Sequence, residues 1–288
     1  MINLATVAGV REVTARYGLM AKKKLGQHFL IDGHVLSKII SAADICADDT
    51  VLEIGPGIGG MTQALLAAGA NVLAVELDKQ LVPILSEMFA GENFTIVQGD
   101  ILRVDLTELL GDKGTTPLSP IKVVANLPYY ITTPVIFRLL ESGLPFESIT
   151  VMIQKEVASR MSAAPGTKDY GSLTLAIQYY ADARLVANVP TNCFMPRPAV
   201  DSAVVQLRLL PAPRVDTDKE KLFQVIQAAF GKRRKTLLNA LDSEGIGGGK
   251  TTLAATLEEA GINPQARGET LDIFQFAKLT EKICFFEK

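Results

Sequence analysis

The chain has 288 residues, a formal net charge of −2 and 48% hydrophobic residues, enough to bury one large core and a smaller one. It holds no run of 18 or more uncharged apolar residues, which argues against a membrane span, and its start mixes apolar residues with Arg11, Glu12 and Arg16 instead of forming a secretory signal. Cys46, Cys193 and Cys284 show neither disulfide nor metal-ligand spacing, and His28 and His34 have no Cys or acidic cluster beside them, so no metal is expected and a reducing, cytoplasmic setting is.

In chain order, residues 34–43 read as a helix. Short Val-, Leu- and Ile-rich runs at 50–54, 71–75, 94–98 and 122–125 read as strands. Helical periodicity fills the gaps between the first three. In 60–68, Met61, Ala64, Leu65 and Ala68 share one face, and 79–89 opens after Asp78, a good N-cap, with Pro83 a local cost near its start. A helix at 133–142, a strand at 148–154, and helices from Lys155 and at 171–180 follow. Strands near 183–189 and 203–210 are joined by the loop 190–202, too short to hold a covering helix, which predicts an antiparallel hairpin. Residues 211–219 read as a linker. Beyond it lie helices at 219–230, 233–241, 251–260 and 271–284, with a glycine run at 245–249. The alternation predicts a doubly wound α/β domain followed by a small all-α domain.

Four strand ends carry the chemistry. Glu53-Ile54-Gly55-Pro56-Gly57-Ile58-Gly59-Gly60 leaves the first strand, and Gly55, Gly57 and Gly60 match a dinucleotide fingerprint in which glycines let a ligand approach the backbone. Glu76 ends the second strand, where a ribose-binding acid belongs. These two features alone do not separate NAD from S-adenosylmethionine. Asp100, in Gln98-Gly99-Asp100-Ile101, is placed to accept the amino proton of a bound adenine, or else to cap the segment that follows. Asn126-Leu127-Pro128-Tyr129 ends the fourth strand. The Asn126 amide oxygen and the Leu127 carbonyl can each accept one N–H, Pro128 stiffens the turn, and Tyr129 offers a ring for stacking. A hydride-transfer enzyme needs no such element, whereas group transfer to a base amine does.

Together these residues resemble the bacterial small-subunit (16S) ribosomal RNA adenine N6,N6-dimethyltransferases. The resemblance runs from about Lys22 to the C-terminus. It includes Leu25-Gly26-Gln27-His28-Phe29-Leu30-Ile31-Asp32, Gln154-Lys155-Glu156-Val157-Ala158, the loop Phe194 to Val204, and Arg233-Arg234-Lys235-Thr236-Leu237. It implies a class I, Rossmann-like methyltransferase with a seven-stranded, mostly parallel sheet. The implied organisation is an extension at 1–21, a catalytic domain at 22–211 and a helical RNA-binding domain at 212–288. The implied cofactor is S-adenosylmethionine, held by His28, Leu30, Gly55, Gly57, Glu76, Asp100, Ile101 and Asn126. The implied catalytic set is Asn126, Leu127, Pro128, Tyr129 and Phe194, with Phe194 facing Tyr129 across the target base. The implied substrate is 16S rRNA in an immature small subunit, modified at two adjacent loop adenosines by a cytoplasmic monomer. Basic runs supply the expected RNA contacts: Lys22, Lys23 and Lys24, then Arg160, Arg197, and Lys232 to Lys235 through Arg233 and Arg234.

Overall fold

The structure, a computed structural model, describes residues 2–111, 120–232 and 234–285. By contact the chain forms two compact units. One takes the chain up to Ala158 together with Arg184–Leu209. The other takes Ser159–Ala183 together with the chain from Leu210 onward.

The first unit opens with α1 (Val7–Arg16), started by Thr6, whose hydroxyl accepts the Gly9 N–H. Leu4, Val10 and Val13 are buried, so the segment read as an N-terminal extension packs into this unit. Leu4 and Val13 share a cluster with Leu81, Leu85 and Phe89. The elements that follow are β1 (Phe29–Leu30), α2 (Gly33–Ala42), β2 (Thr50–Ile54), α3 (Gly60–Ala67), β3 (Asn71–Glu76), α4 (Leu81–Met88), β4 (Phe94–Gln98), α5 (Leu106–Gly111), β5 (Ile121–Asn126), α6 (Thr132–Leu140), β6 (Phe146–Gln154) and α7 (Lys155–Met161). After α8 (Ser172–Tyr180) come β7 (Ala181–Val189), β8 (Phe194–Met195) and β9 (Ser202–Leu209).

Among the described residues the main sheet has seven strands in the order β4-β3-β2-β5-β6-β9-β7. β2 pairs in parallel with β3 and with β5, β3 with β4 and β5 with β6, while β9 runs antiparallel to β6. β2, β3, β5 and β6 are mostly buried runs rich in Val, Ile and Leu, as strands covered on both faces must be, while β4 at the sheet edge is only partly buried. The strand order reverses between β2 and β5, and a crevice opens beyond the carboxyl ends of the strands at such a point. β7 and β9 lie side by side, as the short connection requires. That connection also holds β8, which pairs antiparallel with β1. Strands of two residues are too short to show a period.

α4 starts later than its sequence pattern predicts. The Asp78 side chain accepts the Gln80 N–H, but its carboxylate is also engaged by Lys22 and Gln27, and the helix begins at Leu81. Pro83 then falls in the first turn, where its missing N–H costs no helical bond.

The second unit contains α8, α9 (Lys219–Gly231), α10 (Leu237–Ser243), α11 (Lys250–Glu259) and α12 (Ile273–Lys282). Asp218, Thr236 and Asp272 cap α9, α10 and α12. Tyr170, Leu175, Leu222, Ile226, Leu237, Leu253 and Phe276 form its core, and the Tyr170 hydroxyl donates to the Leu271 carbonyl at 2.8 Å. Residues 159–183, expected within the catalytic domain, therefore pack with the helices. Among the described residues no helix is long and apolar enough to cross a membrane.

Candidate active site

The crevice holds about 980 Å3 of atom-free space, part of it open to solvent. Four strand ends and the segment leading into β1 line it. The first strand end contributes Glu53 and the glycine turn. At Gly55 the backbone takes φ +67, and a Cβ built there meets nothing within 4 Å, so the turn leaves an open cradle walled by main chain. Gly57 lines the same cradle.

Glu76 closes β3 with 6% of its surface exposed. Its Oε1 accepts the Asp78 N–H at 2.7 Å and its Oε2 accepts the Gly57 N–H at 3.3 Å. Burial pushes its carboxyl up, and these two bonds pull against that shift. Asp100 and Ile101 line the far wall. Asp100 caps the turn after β4 by accepting the Leu102 N–H at 3.0 Å and lies 3.7 Å from Arg103 Nε. The capping reading is thus realised, and the carboxylate stays about one-third exposed beside the pocket.

Asn126 ends β5. Its Nδ2 donates to the His28 carbonyl at 2.9 Å, and among the described residues no protein group donates to its Oδ1. The amide is therefore fixed as an acceptor. The Leu127 N–H is committed to the Met152 carbonyl at 3.1 Å, and the Leu127 side chain is buried. Pro128 lines the pocket and opens a 3-10 turn, Tyr129–Ile131.

Tyr129 donates to or accepts from Ser202 Oγ at 2.7 Å, and its ring lies 6.3 Å from that of His28 with the planes 23° apart. It does not line the pocket. Tyr130 does, and it is 58% exposed. Phe194 is only 2% exposed. Its pairing with Leu30 places it in a cluster with Leu30, Val35 and Val204.

Of the other expected cofactor contacts, His28 and Leu30 line the pocket, and His28 Nδ1 lies 2.8 Å from the Pro196 carbonyl. Lys22, expected at RNA, has its Nζ 2.7 Å from Asp78 Oδ1. Lys24, Arg160, Arg197, Lys232, Arg234 and Lys235 are exposed, and Lys232 lies 3.7 Å from Glu244. Arg233 and the side chain of Lys23 lie outside the described residues. Glu53, Gln27 and Tyr130 line the pocket, and Asp78 is bonded to Gln27 beside it; the motif reading assigns none of them to the site. A usable signal for Asp78 is its position two residues after Glu76 at a strand end, where a second carboxylate needs a partner.

A glycine-turned crevice beyond a seven-stranded sheet of this order, flanked by Glu76, Asp100 and an amide acceptor, defines a class I methyltransferase. Residues 18–279 match the family model described as ribosomal RNA adenine dimethylase. The chain belongs to that family. It is 53% identical over 276 residues to a ribosomal RNA small subunit methyltransferase A of Lachnoclostridium phytofermentans, covering 94% of each chain. It is 44% identical over 286 residues to one of Alkaliphilus metalliredigens, covering 99% of each. Among solved structures it is similar to a dimethyladenosine transferase from Plasmodium falciparum, with TM-score 0.70, 28% identity, and coverage of 87% of this chain and 95% of that one. It is also similar to the 23S rRNA methyltransferase ErmE, with TM-score 0.68, 26% identity, and coverage of 88% and 98%.

Proposed function

We propose that this protein dimethylates N6 of two adjacent adenosines in a loop near the 3′ end of 16S rRNA, acting as a cytoplasmic monomer on the immature small subunit. The observation that carries the chemistry is the orientation of Asn126. With its amide N–H held by the His28 carbonyl, Oδ1 is left to accept from an amine. The residues present suit S-adenosylmethionine: main chain at Gly55 and Gly57 for close approach, the buried Glu76 carboxylate for ribose hydroxyls, and Asp100 with Ile101 for the adenine edge. When bound, that cofactor supplies an electrophilic methyl group.

The chain's own part is to prepare the acceptor nitrogen. The lone pair of an adenine N6 is delocalised into the ring. Accepting its two N–H groups at Asn126 Oδ1 and the Leu127 carbonyl favours a pyramidal nitrogen with a directed lone pair. Holding reactants in line is worth about 7–11 kcal/mol in well-oriented systems. After one methylation a single N–H remains, and after two there is none, so the product loses both bonds and its hold on the pocket. The base must be unstacked to reach these groups. Tyr129 and Tyr130 flank its path, and Phe194 backs the wall behind β1. Lys24, Arg160, Arg197, Lys232, Arg233, Arg234 and Lys235 supply phosphate contacts, so binding weakens steeply with salt.

The likeness to ErmE gives one alternative, methylation of large-subunit rRNA. The two are separated by incubating purified undermethylated small and large subunits with labelled S-adenosylmethionine and mapping the modified nucleosides. The expected outcome is N6,N6-dimethyladenosine at two adjacent positions of small-subunit rRNA. Asn126→Ala should lose most turnover while keeping cofactor affinity. Label confined to the large subunit, or an Asn126→Ala variant with near-normal turnover, refutes the reading.

A further inference from the structure

The segment that leads into β1 is fastened at two places in the first unit. Toward β5, the His28 carbonyl accepts from Asn126, and a Cβ at Gly26 would stand 3.3 Å from Pro128 Cβ, so the segment lies tight on that turn. Toward β3, the fastening is polar and converges on one carboxylate. Lys22 Nζ lies 2.7 Å from Asp78 Oδ1, Gln27 Nε2 donates to Asp78 Oδ2 at 3.1 Å, and Gln27 Oε1 accepts the Lys22 N–H at 2.8 Å. The Asp78 side chain is 5% exposed. Its burial opposes charge, yet the bonds from Lys22, Gln80 N–H and Gln27 outweigh that and hold its carboxyl below the ordinary range. The same residue's N–H donates to Glu76 Oε1 at 2.7 Å. Leu25 to Leu30, lying within and beyond the latched stretch, form one wall of the pocket.

We infer that Lys22, Gln27 and Asp78 form a latch that keeps the 22–30 segment closed on the methyl donor, and that Lys22 is a positioning residue of the donor site instead of an RNA contact. The chemistry supports this assignment. A lysine paired to a buried carboxylate cannot also neutralise a phosphate without leaving that carboxylate unpaired. Asp78 ties the latch to Glu76, so a donor whose hydroxyls settle on Glu76 braces the closed segment, and a closed segment retains the donor. The latch acts on retention of the donor and leaves the transfer step itself unchanged. This inference rests on the methyl-donor reading of the pocket.

The test measures donor affinity and RNA affinity on one set of full-length variants. In Lys22→Ala the latch loses its charged bond. The dissociation constant for S-adenosylmethionine by calorimetry should rise roughly five- to tenfold, the effect of losing one hydrogen bond of ordinary net strength. The KM for the donor should rise with it, and kcat at saturating donor should stay within about twofold, as removal of uniform binding requires. Lys22→Arg, which keeps charge and reach, should restore affinity. Gln27→Ala repeats the effect from the other side of Asp78 and covers the case in which one variant folds poorly. The plot of log affinity for small subunits against log salt should keep its slope in Lys22→Ala. A slope lowered by about one makes Lys22 a phosphate contact and overturns the latch. Donor affinity unchanged in both alanine variants also overturns it. Failure of the unmodified protein to bind S-adenosylmethionine at all instead refutes the underlying reading of the pocket.

Discussion

Glu53 lies at the foot of the glycine turn with 1% of its surface exposed, and its Oε2 accepts from Thr62 Oγ1 at 2.7 Å. Burial, aided by the neighbouring Glu76, pushes its carboxyl from 4.5 up to about 8. Between those values the folded chain keeps a proton that the unfolded chain has released. The stabilisation is therefore complete below about 4.5 and is lost as pH rises towards 8, at up to ~1.4 kcal/mol per pH unit. Glu76 is raised by the same cause and adds to the same slope. Glu53→Gln should flatten the fall in stability between pH 5 and 8, read from urea midpoints; an unchanged slope would show that Glu53 is ionised in the folded protein. Individual residues were legible in proportion to how locally their roles are set. Glu76, Asp100 and Asn126 each end an apolar strand, and that position alone places them at the crevice. The engagement of Lys22 was not legible, because its partner lies 56 residues away and a basic run looks the same whether solvated or paired.

Elements show the same division. The five parallel strands and their helices are visible as short apolar runs alternating with helical periodicity. β1 and β8 are not, since each is two residues long and exists only through the other. That pairing is also why Phe194 points into the core. The entry to α3 carries a sharper constraint. Gly59 takes φ +89 at its N-cap, and a Cβ there would stand 2.7 Å from the ring of Phe89, which packs beside α4. Gly59→Ala should destabilise the fold by about 1–3 kcal/mol, from backbone strain and overpacking together, measured as a lower denaturant midpoint at unchanged m-value. A midpoint within error of the unmodified protein would mean that the α3–α4 packing yields easily.

At the scale of the whole molecule, the net charge of −2 hides local cations and does not reveal an RNA-binding chain. Nor does the sequence disclose that residues 159–183 belong with the C-terminal helices. Leu175 and Tyr179 look like ordinary helix residues, and Tyr170 like part of the loop before them, until Val215, Leu222 and Phe276 are seen to share their cluster. A fragment ending at Leu210 should therefore expose these side chains and bind a hydrophobic dye. A fragment that stays monomeric and dye-free would show that the segment finds other cover within the first unit.

This division of the helical core between two stretches of chain has a consequence for synthesis. Chains emerge from the ribosome amino end first. Ser159–Ala183 is made before the last strand of the sheet, β9, and well before its covering partners in α9 and α12. The nascent protein thus completes its sheet while Tyr170 and Leu175 still wait for their neighbours, and that interval is when a chaperone has most to hold.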